Sequence, residues 1–220
     1  MSALNHKVVS PAEWKEARAA LLKKEKELTH AHDALTAEIR ALPWVKMPST
    51  YTFHTLSGDK TLAELFGDKS QLFMVHFMLA PGRDACSSCS FWADHYGGLK
   101  FHLPQRDVAF TVISRAPLQE IEAYKKRMGW DFEWVSSYGS EFNYDMERSV
   151  RDPPAGFSGE EPGFCVFFRE GGEVFRTYST TGRGIEVLNG TYGVLDLVPN
   201  GRDEGGLSYP MAWVKKHDEY

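Results

Sequence analysis

The chain has 220 residues with 25 basic and 30 acidic side chains and a net charge of -5. It lacks a basic stripe with interleaved aromatics, which argues against a nucleic-acid partner. Its length suits one domain with extensions, able to bury roughly 70% of its unfolded surface without covalent staples, and three cysteines are too few, and odd in number, for a disulfide framework. The start, Met1-Ser-Ala-Leu-Asn-His-Lys7, has no apolar core of a signal peptide, and no run of ~18 apolar residues occurs, so a cytoplasmic protein without a membrane span is expected. The sequon Asn189-Gly190-Thr191 is then a chance match.

Ser10-Pro11-Ala12-Glu13 has the form of a capping box with proline in the first turn, and an Ala, Leu, Lys and Glu-rich run follows to Leu42-Pro43. A helix of about thirty residues is predicted. Trp14, Leu21, Leu28, Leu35 and Leu42 recur every seven positions. So narrow a stripe suits packing along a domain or across a dimer partner, and a homodimer through this helix is the expectation slightly favoured. His30, His32 and Asp33 have no third ligand in view and read as solvated side chains.

From Trp44 the pattern changes to short strands. Tyr51 to Leu56 reads as an edge strand running into a turn at Ser57 to Lys60, and Thr61 to Phe66 as a short helix closed near Gly67. Gln71 to Leu79 is nearly all apolar, as in a strand buried on both faces. After the loop Ala80 to Ala85 come Cys86-Ser87-Ser88-Cys89 and a helical stretch to about Tyr96, closed by Gly97-Gly98. Asp107 to Ser114 is a second buried strand, Pro117 to Met128 a helix, and Phe132 to Ser136 a short strand. Tyr138 to Pro162 reads as a long insertion. Phe164 to Phe168 and Val174 to Tyr178, joined through Gly171-Gly172, form a hairpin, and Ile185, Leu188, Tyr192 and Leu195 mark a final helix interrupted by Gly190 and Gly193.

The order is strand, Cys-headed helix, strand, helix, extra strand, hairpin, helix. This is an α/β thioredoxin-like arrangement, with residues 1–43 as a helical extension, 44–204 as the domain carrying the insertion, and 205–220 as a tail. It seats the cysteine pair where a central strand hands over to a helix, the place at which open sheets carry their chemistry. Unpaired N–H groups at a helix start favour a thiolate. Cys86 is therefore the candidate nucleophile and Cys89 the resolving thiol, which points to dithiol-disulfide exchange with a protein or small-molecule thiol or disulfide and no cofactor. A structural or accidental cysteine pair is the plainer alternative.

Several segments add a resemblance. Trp44-Val-Lys-Met-Pro48, Ser88-Cys-Ser-Phe-Trp-Ala-Asp94, Ser114-Arg-Ala-Pro-Leu118, Tyr124-Lys-Lys-Arg-Met-Gly-Trp130, Phe142-Asn-Tyr-Asp145 and Asp196-Leu-Val-Pro-Asn-Gly-Arg-Asp-Glu204 look like the bacterial family known as domain of unknown function 899. The resemblance implies a thioredoxin-like fold and a predicted dithiol-disulfide oxidoreductase.

Against ordinary thioredoxin, Ser87-Ser88 stands where Gly-Pro is usual, and hydroxyls there can donate to a thiolate and make the pair more oxidising. Ala85 stands where tryptophan is usual, with Trp92 one turn after Cys89 as either a core aromatic or a substrate-facing one. Pro162 is the candidate for the cis-proline of that fold. His76 is the available proton acceptor near Cys89 or, more simply, a core histidine. Arg83 and Asp84 can tune the thiolate in opposite directions. Cys165 reads as a buried, inert thiol.

Three alternatives stay open. One is a thiol peroxidase: the run from Tyr51 to Leu79 resembles the entry of peroxiredoxin domains, whose reactive Cys follows a Pro and a Thr, and Pro81 lies five residues before Cys86, but Asp84-Ala85 leaves no hydroxyl neighbour. Another is a non-catalytic binding protein with Tyr138, Phe142, Tyr144 and Phe157 lining a groove. The last is a metal held by Cys86 and Cys89 with Cys165 or His95, for which half a zinc shell is present.

Overall fold

The computed structural model describes residues 6–220. The first five, on which part of the amino-terminal reading rests, lie outside the described residues. The chain divides between Pro43 and Trp44. Before the division lies α1 (Pro11–Arg40), 30 residues long. Its start is the expected capping box: Ser10 accepts from the Glu13 N–H while the Glu13 carboxylate takes the Ser10 N–H and hydroxyl. The helix buries no residue, and Trp14 and Leu28 are 59% and 72% exposed.

The second unit is built on one eight-stranded sheet: β1 (Val45–Lys46), β2 (Thr52–Thr55), β3 (Gly58–Thr61), β4 (Gln71–His76), β5 (Val108–Ser114), β6 (Trp134–Ser136), β7 (Gly163–Glu170) and β8 (Glu173–Thr181). Their spatial order is β1-β8-β7-β4-β5-β6-β2-β3. Strands β4, β5 and β6 run parallel, and β7 and β8 join antiparallel on the β4 side. Helix α2 (Ser87–Ala93) leads from β4 towards β5, followed by the short α3 (Leu99–His102), and α4 (Leu118–Arg127) connects β5 to β6. A parallel core crossed by helices and extended by an antiparallel hairpin is the thioredoxin-like arrangement.

Alternation along β4 explains the two cores. Phe73, Val75 and the following Phe77 meet one cluster with Trp92, Phe110, Val112, Trp134 and Phe164. Leu72 and Met74 meet the other with Ile113, Val135, Cys165 and Phe167. A strand with successive side chains on opposite faces, both covered, must be apolar throughout. The first face is covered by α2, α4 through Ile121, α6 (Gly190–Leu195) through Tyr192, and Val214. The second is covered by Met47 to Phe66 and by α5 (Phe142–Asp145).

The structure departs from the sequence reading at four places. Gly58–Thr61 is an edge strand rather than a turn, because Thr55 and Gly58 close a two-residue hairpin with Gly58 at φ +106°, a conformation open to glycine. The Cys-headed helix ends at Ala93 instead of Tyr96. The final helix is broken into a 3₁₀ turn, Gly182–Leu188, and α6, with Asn189 capping α6 by accepting from the Tyr192 N–H. Residues 205–220 are no tail: Val214 enters the first core, and Arg127 on α4 holds Asp218 and Glu219. In the β7–β8 hairpin, Gly171 and Gly172 take φ +60° and +83°, as a two-residue turn of this hand requires.

The long insertion is folded down. Phe142 is 0% exposed and packs edge-on against Tyr51 and Phe53 with centroids 5.1 and 4.9 Å away. Phe142→Ala is expected to cost about 3–5 kcal/mol, the range for emptying a buried phenylalanine site. Denaturant unfolding measures it, and a loss near zero would mean that the insertion is not part of the core.

Candidate functional site

Cys86 occupies the N-cap of α2, with extended backbone at φ -65° and ψ 123°. Its sulfur does what a capping oxygen does: it accepts the N–H of Cys89, three residues on, at 3.3 Å. The N–H and hydroxyl of Ser88 and the Cys89 thiol also donate to it. Together these donors, with the Cys89 thiol foremost and against the opposing effect of burial, bring the Cys86 thiol down to about 7. About half of it is then thiolate at neutral pH, against a few per cent for an ordinary cysteine.

Cys89 is buried and takes the reverse shift. Donating to Cys86, lying in the interior and facing the Cys86 charge all push its thiol well above the usual range, while the Met78 N–H, 3.5 Å from its sulfur, works the other way. The two thiols are thus unlike: a half-exposed, readily ionised sulfur and a buried one that holds its proton. Both are free thiols.

Of the other residues singled out from sequence, Ser88 joins the sulfur's donors and Ser87 does not. Trp92 is buried, donates its indole N–H to the Ile185 carbonyl at 2.9 Å, and lines a cavity together with Ser88, Cys89 and Pro162. Pro162 is therefore beside the dithiol, at the start of β7, but the expectation of a cis bond fails: no described residue has a cis peptide. Its carbonyl instead accepts from the Thr181 hydroxyl at 2.6 Å. Arg83 and Asp84 are both exposed.

His76 belongs to the opposite face. As the next outward step after Leu72 and Met74, it stacks on Phe142 with centroids 5.9 Å apart and planes 9° from parallel. Neither ring nitrogen has a hydrogen-bond partner. Burial, helped by the charge of Arg148, lowers it to about 3. The structure corrects the reading of His76 as proton acceptor for Cys89, since strand alternation turns it from the dithiol. Cys165 is likewise on that second face, fully buried and raised to about 11 by burial. His95 is held between the Phe91 carbonyl and the Thr191 hydroxyl, both at 2.9 Å. The ligand set weighed for a metal is therefore scattered, and among the described residues no group of three or more His, Cys, Asp or Glu is gathered.

A residue that sequence reasoning missed is Glu160. It is 2% exposed, at the end of the insertion, with its carboxylate bound by the Arg115 guanidinium and by the Ser149 hydroxyl at 2.9 Å. Arg115 in turn donates to the Tyr144 hydroxyl at 2.6 Å. Burial nevertheless raises the Glu160 carboxyl, and its charge is close enough to Cys89 to disfavour ionisation of that thiol. A lone acid within a polar loop carries no periodic signal. Only the Ser149–Glu160 bridge, which closes the loop on itself, brings it there.

Over residues 3–220 the chain matches the family described as "Bacterial protein of unknown function (DUF899)". It belongs to that family. No curated protein is a match. Solved structures similar to it include a cysteine-to-serine mutant of PrxQ from Xylella fastidiosa, at 15% identity over 69% of this chain and 95% of that one, with a TM-score of 0.49. Reduced Prx3 from Vibrio vulnificus has 15% identity over 68% and 94%, with a TM-score of 0.48. The mitochondrial 2-cys peroxiredoxin from Plasmodium falciparum has 13% identity over 76% and 96%, with a TM-score of 0.42.

His76 sets a measurable pH dependence. The fold keeps it neutral down to about pH 3, while the unfolded chain takes up a proton below about pH 6.5. Its contribution to stability is therefore complete above pH 6.5 and is lost as the pH falls towards 3, by ~2 kcal/mol between pH 7 and pH 5. In parallel denaturation curves, His76→Leu should lose that much less over the same interval; equal losses in both proteins would contradict a neutral buried ring.

Proposed function

We propose that this family member is a thiol-disulfide oxidoreductase in which Cys86 attacks and Cys89 resolves. The observation that carries the reading is the opposed state of two neighbouring thiols, with Cys86 lowered to about 7 and Cys89 raised, on one turn of a helix at the end of a central strand. In the forward step the Cys86 thiolate attacks one sulfur of a substrate disulfide. That S–S bond breaks, a mixed disulfide forms, and the first substrate thiolate leaves and takes a proton from water. Cys86 then no longer accepts from Cys89. The Cys89 thiol gives up its proton to water and attacks the Cys86 sulfur, closing the Cys86–Cys89 disulfide and releasing the second thiolate, which takes up a proton from water in turn. The dithiol is oxidised by two electrons and the substrate disulfide becomes two thiols.

The opposed ionisation of the pair favours this order, because a thiolate attacks and a thiol that holds its proton does not. Ser88, which donates to the sulfur by both N–H and hydroxyl, supports the thiolate and hence a more oxidising pair than a Gly-Pro turn. Glu160 and Arg115 form the buried charged neighbourhood in which Cys89 changes its protonation. A cytoplasmic location fits free, unpaired thiols, and a bacterial origin fits the family's description.

Cys89→Ser should trap a mixed disulfide on Cys86 that survives non-reducing electrophoresis, whereas wild type should release its substrate and close the internal bond. Alkylation of Cys86 in the wild type should follow pH with a midpoint near 7, and the Cys89→Ser midpoint should differ, because a serine hydroxyl replaces the thiol donor. A Cys89→Ser protein that traps nothing sinks the proposal, and peroxide consumption with a thiol donor in place of disulfide reduction would move the assignment to a peroxidase.

The partner proposed for α1 is a second copy. The helix buries none of its side chains, yet it carries Trp14, Leu21, Leu28 and Leu35 at heptad spacing, and a seven-residue repeat on a 3.6-residue helix winds two such helices together. Light scattering should report a dimer for the wild type and a monomer for the double substitution Leu21→Glu with Leu28→Glu; a wild-type monomer at tens of micromolar rejects it.

A further inference from the structure

Beside the dithiol is a cavity of about 720 Å³, within the size range of small-molecule sites. Cys89 and Trp92 line it from α2, Ile185 and Tyr192 from the segment after β8, and Glu204 and Met211 from the segment beyond α6. The carboxyl-terminal stretch is thus one wall of a cavity that Ser88 and Cys89 also line; the Cys86 sulfur is not itself in the lining and adjoins it through the bonds it takes from those two residues. Trp92 and Tyr192 meet edge-to-face there, with centroids 5.6 Å apart, and offer an aromatic lining.

The charges of this wall are distributed unequally. Arg202 is spent on Asp196 at 2.7 Å and Glu186 at 3.1 Å while stacking 3.9 Å over the Tyr192 ring, and Arg183 is spent on Glu186 at 2.9 Å. Glu204 has no salt-bridge partner among the described residues. Its Oε1 alone accepts the Tyr192 hydroxyl at 2.8 Å, the Met211 N–H at 3.0 Å and the Trp213 indole N–H at 2.8 Å. Burial opposes its ionisation, but the bonds from Trp213 and Tyr192 hold the carboxyl below its usual range. The second oxygen, Oε2, takes no hydrogen bond from the described residues. Three carboxylates against two committed guanidiniums leave the chamber with a negative balance and one fixed acceptor without a donor.

We propose that this cavity is the substrate chamber of the dithiol and selects a small, largely apolar disulfide that carries an N–H or O–H donor for Glu204 and no negative charge. The proposal rests on the redox reading of Cys86 and Cys89. An apolar body replaces water against Trp92, Ile185, Tyr192 and Met211, which supplies affinity. The donor on Glu204 supplies orientation, since the three bonds to Oε1 fix the carboxylate and leave Oε2 free to accept from a ligand. An anionic disulfide of the same shape meets the net negative charge of this wall and is rejected. The electron balance is that of the exchange above: one disulfide in, two thiols out, and the Cys86–Cys89 bond formed.

The test uses the full chain in its reduced form with three disulfides of one shape: bis(4-aminophenyl), diphenyl and bis(4-carboxyphenyl) disulfide. Single-turnover oxidation rates are each divided by the rate with dithiothreitol, which removes differences in leaving-group reactivity. The normalised rate should be at least tenfold higher for the amino compound than for the carboxy compound, with diphenyl between them. Glu204→Gln should bring the amino and carboxy rates to within about threefold, while the alkylation midpoint of Cys86 stays in place. Ile185→Trp, which fills the chamber from its other side, should slow all three disulfides without slowing iodoacetamide. Equal normalised rates in the wild type, or a preference that Glu204→Gln leaves intact, overturn the chamber.

Binding of the amino compound to the double variant Cys86→Ser with Cys89→Ser, followed by Trp92 fluorescence, separates the two claims. Binding that Glu204→Gln weakens keeps the chamber even where no thiol exchange is seen in the parent protein. Exchange in the parent without such binding keeps the redox reading and rejects the chamber.

Discussion

The Cys86 sulfur at the start of α2 is the contact on which the site depends, because it is a structural cap and a chemical group at once. A helix start needs acceptors for its first N–H groups, and here sulfur is one of them, receiving the Cys89 N–H that an Asp or Ser oxygen would otherwise take. Those N–H groups are directed at the sulfur whatever its protonation state, so ionisation requires no rearrangement. The Cys89 thiol is the foremost support of the thiolate, and the Cys89 and Ser88 N–H groups of the helix start add to it. The cost falls on Cys89, whose proton is retained because it donates to that same sulfur from a buried position. One hydrogen bond between two cysteines thereby leaves one sulfur easily ionised and the other protonated, the division that the proposed exchange requires.

The rest of the fold holds that contact still. β4 is covered on both faces, which fixes the strand from which the chain turns towards α2. Ser90 fastens α2 from within, donating to the Cys86 carbonyl at 2.8 Å and accepting from the Tyr124 hydroxyl of α4 at 2.7 Å. On the far side of the sheet, the insertion lowers Phe142 into the second core and returns to β7 through Glu160, so a stretch that reads as a loop contributes both packing and a buried charge near Cys89. Two of the four aromatics read as a ligand groove are engaged within the protein: Phe142 is core, and Tyr144 is occupied by Arg115, with Arg151 4.2 Å over its ring, while Tyr138 is exposed.

Much of the frame was legible in the chain because its signals are local and periodic. The capping box at Ser10 and Glu13 and the Ala and Leu-rich run after it define α1 without help from elsewhere. The apolar runs of β4 and β5, the Gly171-Gly172 hairpin and the position of Cys86 just after a strand are of the same kind. The misplaced readings share the opposite cause. Gly58–Thr61 is too polar to look like a strand and is one because β2 offers it a pairing edge. His76 occupies the strand position expected for a proton acceptor near Cys89, but faces away from it, and sequence proximity does not report a face until the register is known.

By itself the sequence determined the helix that bears the cysteines, their three-residue spacing and the apolar strands that seat them, since propensity, capping and alternation act within a few residues. Only the tertiary structure decided what surrounds the sulfurs. Glu160 reaches them from some seventy residues away in the chain, Pro162 stands beside them in the trans form, and the stretch after Asp196, with no strong pattern of its own, closes over Trp92 and Cys89 to make a chamber. Such groups meet because burying apolar area brings distant segments together, and that depends on the sum of contacts across the core rather than on any local run of residues.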